Sequence, residues 1–186
     1  MQLLNEPDDF ERPLDLEAGP PEPPRPINWD LLSADDLEAE WLALNTWVDW
    51  LRHTYGLPAS VIPPLWHRHP ELVWELSALH SHWLAAYDPD QHASAPIGWH
   101  RDFADARQRL RDWTATAGTR LDKDRPTRQT IWPGESLTPT TESVTITDRD
   151  EDFVQFVLTE VQARREAEEA FPATLDTREP TSRTVP

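Results

Sequence analysis

Two segments of this chain repeat the same apolar spacing. In Leu37, Trp41, Leu44, Val48, Leu51 and Tyr55, and again in Trp99, Phe103, Ala106, Leu110, Trp113 and Ala117, the steps run 4, 3, 4, 3, 4. Such steps keep residues on one face of an α-helix and scatter them over both faces of a strand, so each segment has to bury one side of a helix. The punctuation agrees with the period. Ser33-Ala34-Asp35-Asp36 resembles a capping box with aspartate in its last place, and Gly56 and Gly118 stand where the two patterns stop.

A third helix lies between them. Pro58, Pro63 and Pro64 make the connection stiff and extended, and Pro70 suits a first helical position with His69 at or next to the cap. Leu72, Val73, Leu76, Leu79, His80, Trp83, Leu84 and Tyr87 form its inward face, while Trp74 and His82 point elsewhere by helical phase. Asp88-Pro89-Asp90 ends it, and Ala95-Pro96 leads into the next helix, whose other faces carry Arg101, Asp105 and Arg109 as a ladder of alternating charge. A fourth helix, about Asp148 to Phe171, opens on Asp148, Asp150, Glu151 and Asp152, which suits the helix dipole. Its apolar face is Phe153, Val154, Val157, Leu158 and Val161, and beyond Val161 it reads as solvated.

The expected architecture is therefore all-α: a small three-helix bundle core over residues 33–118, with an additional C-terminal amphipathic helix at 148–171 that completes the bundle or binds a partner. Residues 119–147, rich in Thr, Pro, Asp and Arg, read as a linker in which Ile131-Trp132-Pro133-Gly134 forms a docked turn. Residues 1–32 read as a disordered acidic, proline-rich tail and 172–186 as a second disordered tail. Trp29, just ahead of the first helix, is either a docking residue or folds back on the core.

Charge limits the partners. Residues 1–40 carry 12 acidic and 2 basic side chains, 41–120 carry 8 and 7, and 121–186 carry 14 and 8, giving the net −17. A polyanion is repelled by the whole and finds little basic surface, so no direct nucleic-acid binding is expected. With no cysteine, disulfides and thiolate chemistry are excluded, and no apolar run is long enough to span a membrane. The acidic Met1–Phe10 segment lacks the pattern of a secretory signal, which points to the cytoplasm.

Two sets of side chains stand out as sites. His67, His69, His80 and His82 invite a metal reading, but His80 and His82 are two apart on a helix and project about 200° from each other. His67 and His69 converge only if their segment is extended, and a third ligand is missing. The structural alternative is that His69 caps a helix, His80 is a hydrogen-bonded core residue and His67 packs on Trp66. No glycine-rich phosphate loop or nucleophile elbow occurs, so no enzyme, cofactor or metal is expected. The 10 tryptophans divide by phase. Trp41, Trp83, Trp99 and Trp113 fall on core stripes, each worth on the order of 4–6 kcal/mol for about 150–250 Å² buried. Trp50, Trp66 and Trp74 are left over, and with His67 and His69 they are the candidate partner-binding residues.

One resemblance emerges from these residues. Trp47-x-x-Trp50-Leu51, Tyr55-Gly56-Leu57, Pro63-Pro64-x-Trp66-x-x-His69-Pro70-x-Leu72-Val73-x-Glu75-Leu76-x-Ala78-Leu79, Trp83, Tyr87, Trp99-His100 and Leu110-x-x-Trp113 resemble an actinobacterial family of small proteins found on plasmids, prophages and integrative elements, grouped as domain of unknown function 4913. The resemblance covers about residues 40–120, with Trp-x-x-His-Pro its most specific part. Cysteine is common in that family just before this tryptophan; Leu65 stands here, which argues against a metal ligand at that place. The resemblance implies a mobile element as the setting and implies no activity. The expected function is thus a non-enzymatic protein–protein interaction module. The alternatives are an acidic decoy that occupies a DNA-binding protein, as anti-defence proteins do, and a metal-dependent enzyme using His67 and His69.

Overall fold

The structure, a computed structural model, describes residues 25–127, 130–136 and 143–176. Four helices dominate it: α1 (Ala34–Tyr55), α2 (Pro70–Ala86), α3 (Ala95–Ala117) and α4 (Arg149–Asp176). A short antiparallel pair, β1 (Lys123–Asp124) with β2 (Val144–Thr145), joins α3 to α4 in the register Lys123 opposite Thr145. No helix among the described residues is long and apolar enough to cross a membrane.

The helix ends follow from the residues that stand there. The Ser33 hydroxyl oxygen accepts from the Asp36 N–H at 3.2 Å and donates to the Asp36 carboxylate at 2.6 Å. Gly56 takes φ 58°, a left-handed turn that a side chain would strain, and Leu57 N–H then closes back on the Arg52 carbonyl at 3.0 Å. Gly118 repeats the device at φ 73°. Pro70 opens α2 at a position where its missing N–H costs nothing.

Helix α1 is central, with α4 packed along one side and the α2–α3 hairpin on the other. Leu37, Trp41, Leu44, Val48 and Leu51 of its stripe are buried, with Trp47 beside them. Helix α4 completes the bundle: Phe153, Val157 and Val161 belong to the same core, and Phe153 and Phe156 meet Trp41 edge-on at 6.3 and 5.3 Å. Trp29 folds back, buried against Trp41 at 4.5 Å in a short 3-10 turn, Trp29–Leu31, so the docking reading fails for it and this end of the expected tail packs on the core.

Several expectations are corrected. Val154 and Leu158 are exposed because only the Phe153–Val157–Val161 side of α4 meets α1. Beyond Val161 the helix is not merely solvated. Arg164 donates to the carbonyls of Trp29, Asp30 and Leu32, and Glu168 accepts from the Ala34 N–H at 2.8 Å, so α4 caps the entrance to α1. It also continues to Asp176, past the boundary expected at 171. Trp113 is exposed although it lies on the α3 stripe, because Thr114 turns inward in its place. Leu84 and Tyr87 are exposed, and Ala86 between them is the residue that turns inward. Arg109 crosses to Glu75 of α2 at 2.6 Å in place of a ladder along α3. The segment after α3 is docked, with Thr119 and Asp124 buried, and is no linker there. The turn at Ile131–Gly134 exists but is exposed, closed by the Trp132 N–H on Glu135. The expected disordered stretches at 1–24 and 177–186 lie outside the described residues.

Candidate functional site

The proline-rich corner before α2 carries Trp66, His67 and His69, three of the five residues expected at a site. Its backbone folds into a tight 3-10 turn, Trp66–Arg68, and does not extend. That turn aims His67 and His69 in different directions. His67 Nε2–H donates to Asp152 of α4 at 2.8 Å, and Arg68 grips both oxygens of the same carboxylate at 2.8 and 2.6 Å. His69 Nε2–H donates to Asp124 of β1 at 2.9 Å, and its Nδ1 is hydrogen-bonded to Thr127 at 3.1 Å. Asp124 also accepts from the Thr119 hydroxyl at 2.6 Å. The two histidines are therefore clamps. One holds α4 to the corner; the other holds the strand segment to it. As N-cap of α2, His69 makes no side-chain capping bond, because its ring is engaged elsewhere.

Electrostatics follow from burial. Burial pushes the His67 pKa down to about 4, against the pull of Asp152, so its ring is neutral. Its Nδ1 is buried with no hydrogen-bond partner among the described residues. Burial opposes the charge on Asp152, but hydrogen bonds from Arg68 and His67 outweigh it and hold the carboxyl below its ordinary range. Asp124 is held low in the same way by His69 and Thr119 against its burial. His80, expected to be hydrogen-bonded, is held by stacking instead, with Trp47 at 4.8 Å and Trp83 at 6.4 Å, and burial lowers its pKa to about 4. Among the described residues no three His, Asp or Glu side chains are grouped to hold a metal ion.

Trp66, His67 and His69 are buried at 2%, 2% and 0% exposure, so none of them can touch a partner directly. The reason is α4 and β1, which cover the corner's outer edge. Trp50 and Trp74 are exposed at 39% and 42%. They do not share a surface. Trp74 stands nine residues before Trp83 on α2, about half a turn of phase away, whereas Trp50 packs on Trp83 at 5.1 Å.

Trp50 belongs to a larger arrangement. From Trp83 the ring contacts pass to Tyr87 at 5.4 Å, to Trp99 at 6.4 Å, to Tyr55 at 6.0 Å and back to Trp50 at 6.2 Å. Five rings from three helices thus close a circuit, with buried Trp99 as its floor and Trp50, Tyr55 and Tyr87 open to solvent. His100 locks it, its Nε2 lying 3.3 Å from both tyrosine hydroxyls. Tyr55, Tyr87 and His100 were missed as site residues because both tyrosines continue apolar stripes. The available signal was position: each stands at the last turn of its helix, beside Gly56 or Asp88, where a stripe runs out of partners.

A cavity of about 380 Å³ lies between α1, the corner and the start of α4, with Val48, Ile62, Pro63 and Trp66 among its walls. Its charged rim is self-neutralised: Arg52 pairs with Asp49 and Arg149 with Asp150.

Compared with protein-family models, curated proteins and solved structures, the chain matches none.

Proposed function

We propose that this protein is a non-enzymatic protein–protein interaction module whose partner docks on the aromatic face of Trp50, Tyr55 and Tyr87. One observation carries the reading. Three large rings stay open to water on one connected surface, although the helices that meet there bury Trp41, Trp47 and Trp99. Aromatic anchors with a polar tip, held rigid by neighbours, are what interface centres are made of, because little side-chain entropy is lost on docking. Trp74 is a second, separate contact point. The resemblance to the mobile-element family suggests a setting, the cytoplasm of a bacterium carrying such an element, and not a mechanism. An acidic decoy would need carboxylates in ordered outward rows; here Asp124, Asp152, Glu75 and Glu168 are tied to partners within the fold.

The test is affinity capture from the producing host with the full chain and its Trp50→Ala and Trp74→Ala variants. The expected result is a protein retained by the parent and lost on Trp50→Ala, with that variant still folded. Identical capture by parent and Trp50→Ala would refute it.

A further inference from the structure

The end of α3 carries a feature unrelated to the aromatic face. The other described arginines that hold elements together have partners: Arg68 with Asp152, Arg109 with Glu75, Arg149 with Asp150, Arg164 with three carbonyls and Arg165 with Asp35. Arg120, Lys123 and Arg125 have no side-chain hydrogen bond or ion pair among the described residues, in a chain with 34 carboxylates. They converge on one place. A cavity of about 310 Å³ is lined by Ser60, Arg111, Thr114, Gly118, Arg120 and Arg125, and a neighbouring one of about 190 Å³ by Arg120, Lys123, Arg125 and Asp122. Arg125 lies across Gly118, close enough that a side chain there would meet its guanidinium at 3.5 Å.

Helix-dipole compensation does not account for this. The C-terminal end of a helix carries about half a negative charge, and three guanidiniums plus an ammonium exceed it even after Asp122 is counted. Arg111 shares one of its nitrogens with Gln108 at 2.8 Å, which leaves the rest of its fork free.

We propose that this cleft binds a small phosphate-bearing anion. Three planar forks around one cavity suit a group that presents three oxygens on one atom and about two negative charges near neutral pH. A lone carboxylate offers two oxygens and one charge. The exposed Ser60 hydroxyl at the rim supplies a further donor. Free anions are repelled by the chain's overall charge, so only a site with cations gathered this closely retains one.

Isothermal titration of the full chain with inorganic pyrophosphate, at about 50 mM salt where screening is weak, tests it. The expected result is saturable binding at one site, weakened about tenfold or more in Arg120→Gln/Arg125→Gln and unchanged in Arg107→Gln. Amide resonances of Gly118 and Arg125 in the parent should move with the same saturation. No saturation at millimolar pyrophosphate, or equal binding by the double variant, overturns the site. Tricarballylate binding as tightly as pyrophosphate overturns the phosphate assignment.

Discussion

His67 and His80 make the fold sensitive to mild acid. Each is neutral and buried, with its pKa pushed from 6.5 to about 4. In the unfolded chain both return to about 6.5. Between pH 6.5 and 4 the unfolded state therefore binds more protons, and stability falls as pH falls. For a shift of that size, lowering pH from 7 to 5 costs about 2 kcal/mol per histidine, or about 4 kcal/mol for the pair. Against a typical total of about 5–15 kcal/mol that loss is large. Asp124 and Asp152, held below the ordinary carboxylate range, add their losses only at lower pH still. Urea unfolding followed by tryptophan fluorescence at pH 7 and pH 5 measures the effect. His80→Phe keeps a flat ring between Trp47 and Trp83 and removes the proton, so about half of the pH dependence should vanish. A parent protein equally stable at both pH values, or a His80→Phe variant with undiminished pH dependence, would refute the reasoning.

Other outcomes follow from single contacts. Asp124→Ala leaves His69 and Thr119 without their shared acceptor, should cost about 2–4 kcal/mol, and should speed hydrogen exchange at the Arg125 amide relative to α2. Arg164→Ala removes the donor to three carbonyls at the entrance to α1 and should cost about 1.5–3 kcal/mol, with the emission of Trp29 shifting red; unchanged emission would mean that Trp29 is held by packing alone. Leu110→Ala empties a fully buried position and should cost about 2–5 kcal/mol in the same urea assay. Trp50→Ala, at a site 39% exposed and packed on Trp83, should cost about 2–3 kcal/mol, so the urea assay also shows that the variant used to probe binding is folded.

The helices were legible because their signals are local. A 4, 3, 4, 3, 4 stripe, a serine cap, a glycine stop and a proline at the first turn each act within a few residues, and α1, α2 and α3 begin and end where those residues stand. What the stripe cannot say is how far a neighbouring element reaches. Tyr55, Leu84, Tyr87 and Trp113 all continue their stripes and are exposed, whereas Ala86 and Thr114, beside Leu84 and Trp113, are buried. Trp66 shows the opposite error. It stands on no stripe and looked free, yet α4, about 85 residues further along, lies over it and brings Asp152 to His67. Pairings of that range, His69 with Asp124 and Arg164 with the Trp29 carbonyl among them, leave no periodic trace. The candidate site inherits this. Trp50 could be singled out by phase, but its companions Tyr55, Tyr87 and His100 come together only when three helix ends meet.

The proposed docking face is the ring circuit around Trp50. A photo-crosslinking residue placed in turn at positions 50 and 87, and at exposed Glu160 on α4 as a control, reads this directly in the living host. The account predicts the same crosslinked partner from positions 50 and 87 and none from 160. No adduct at 50 and 87, or an identical set from all three, would contradict it.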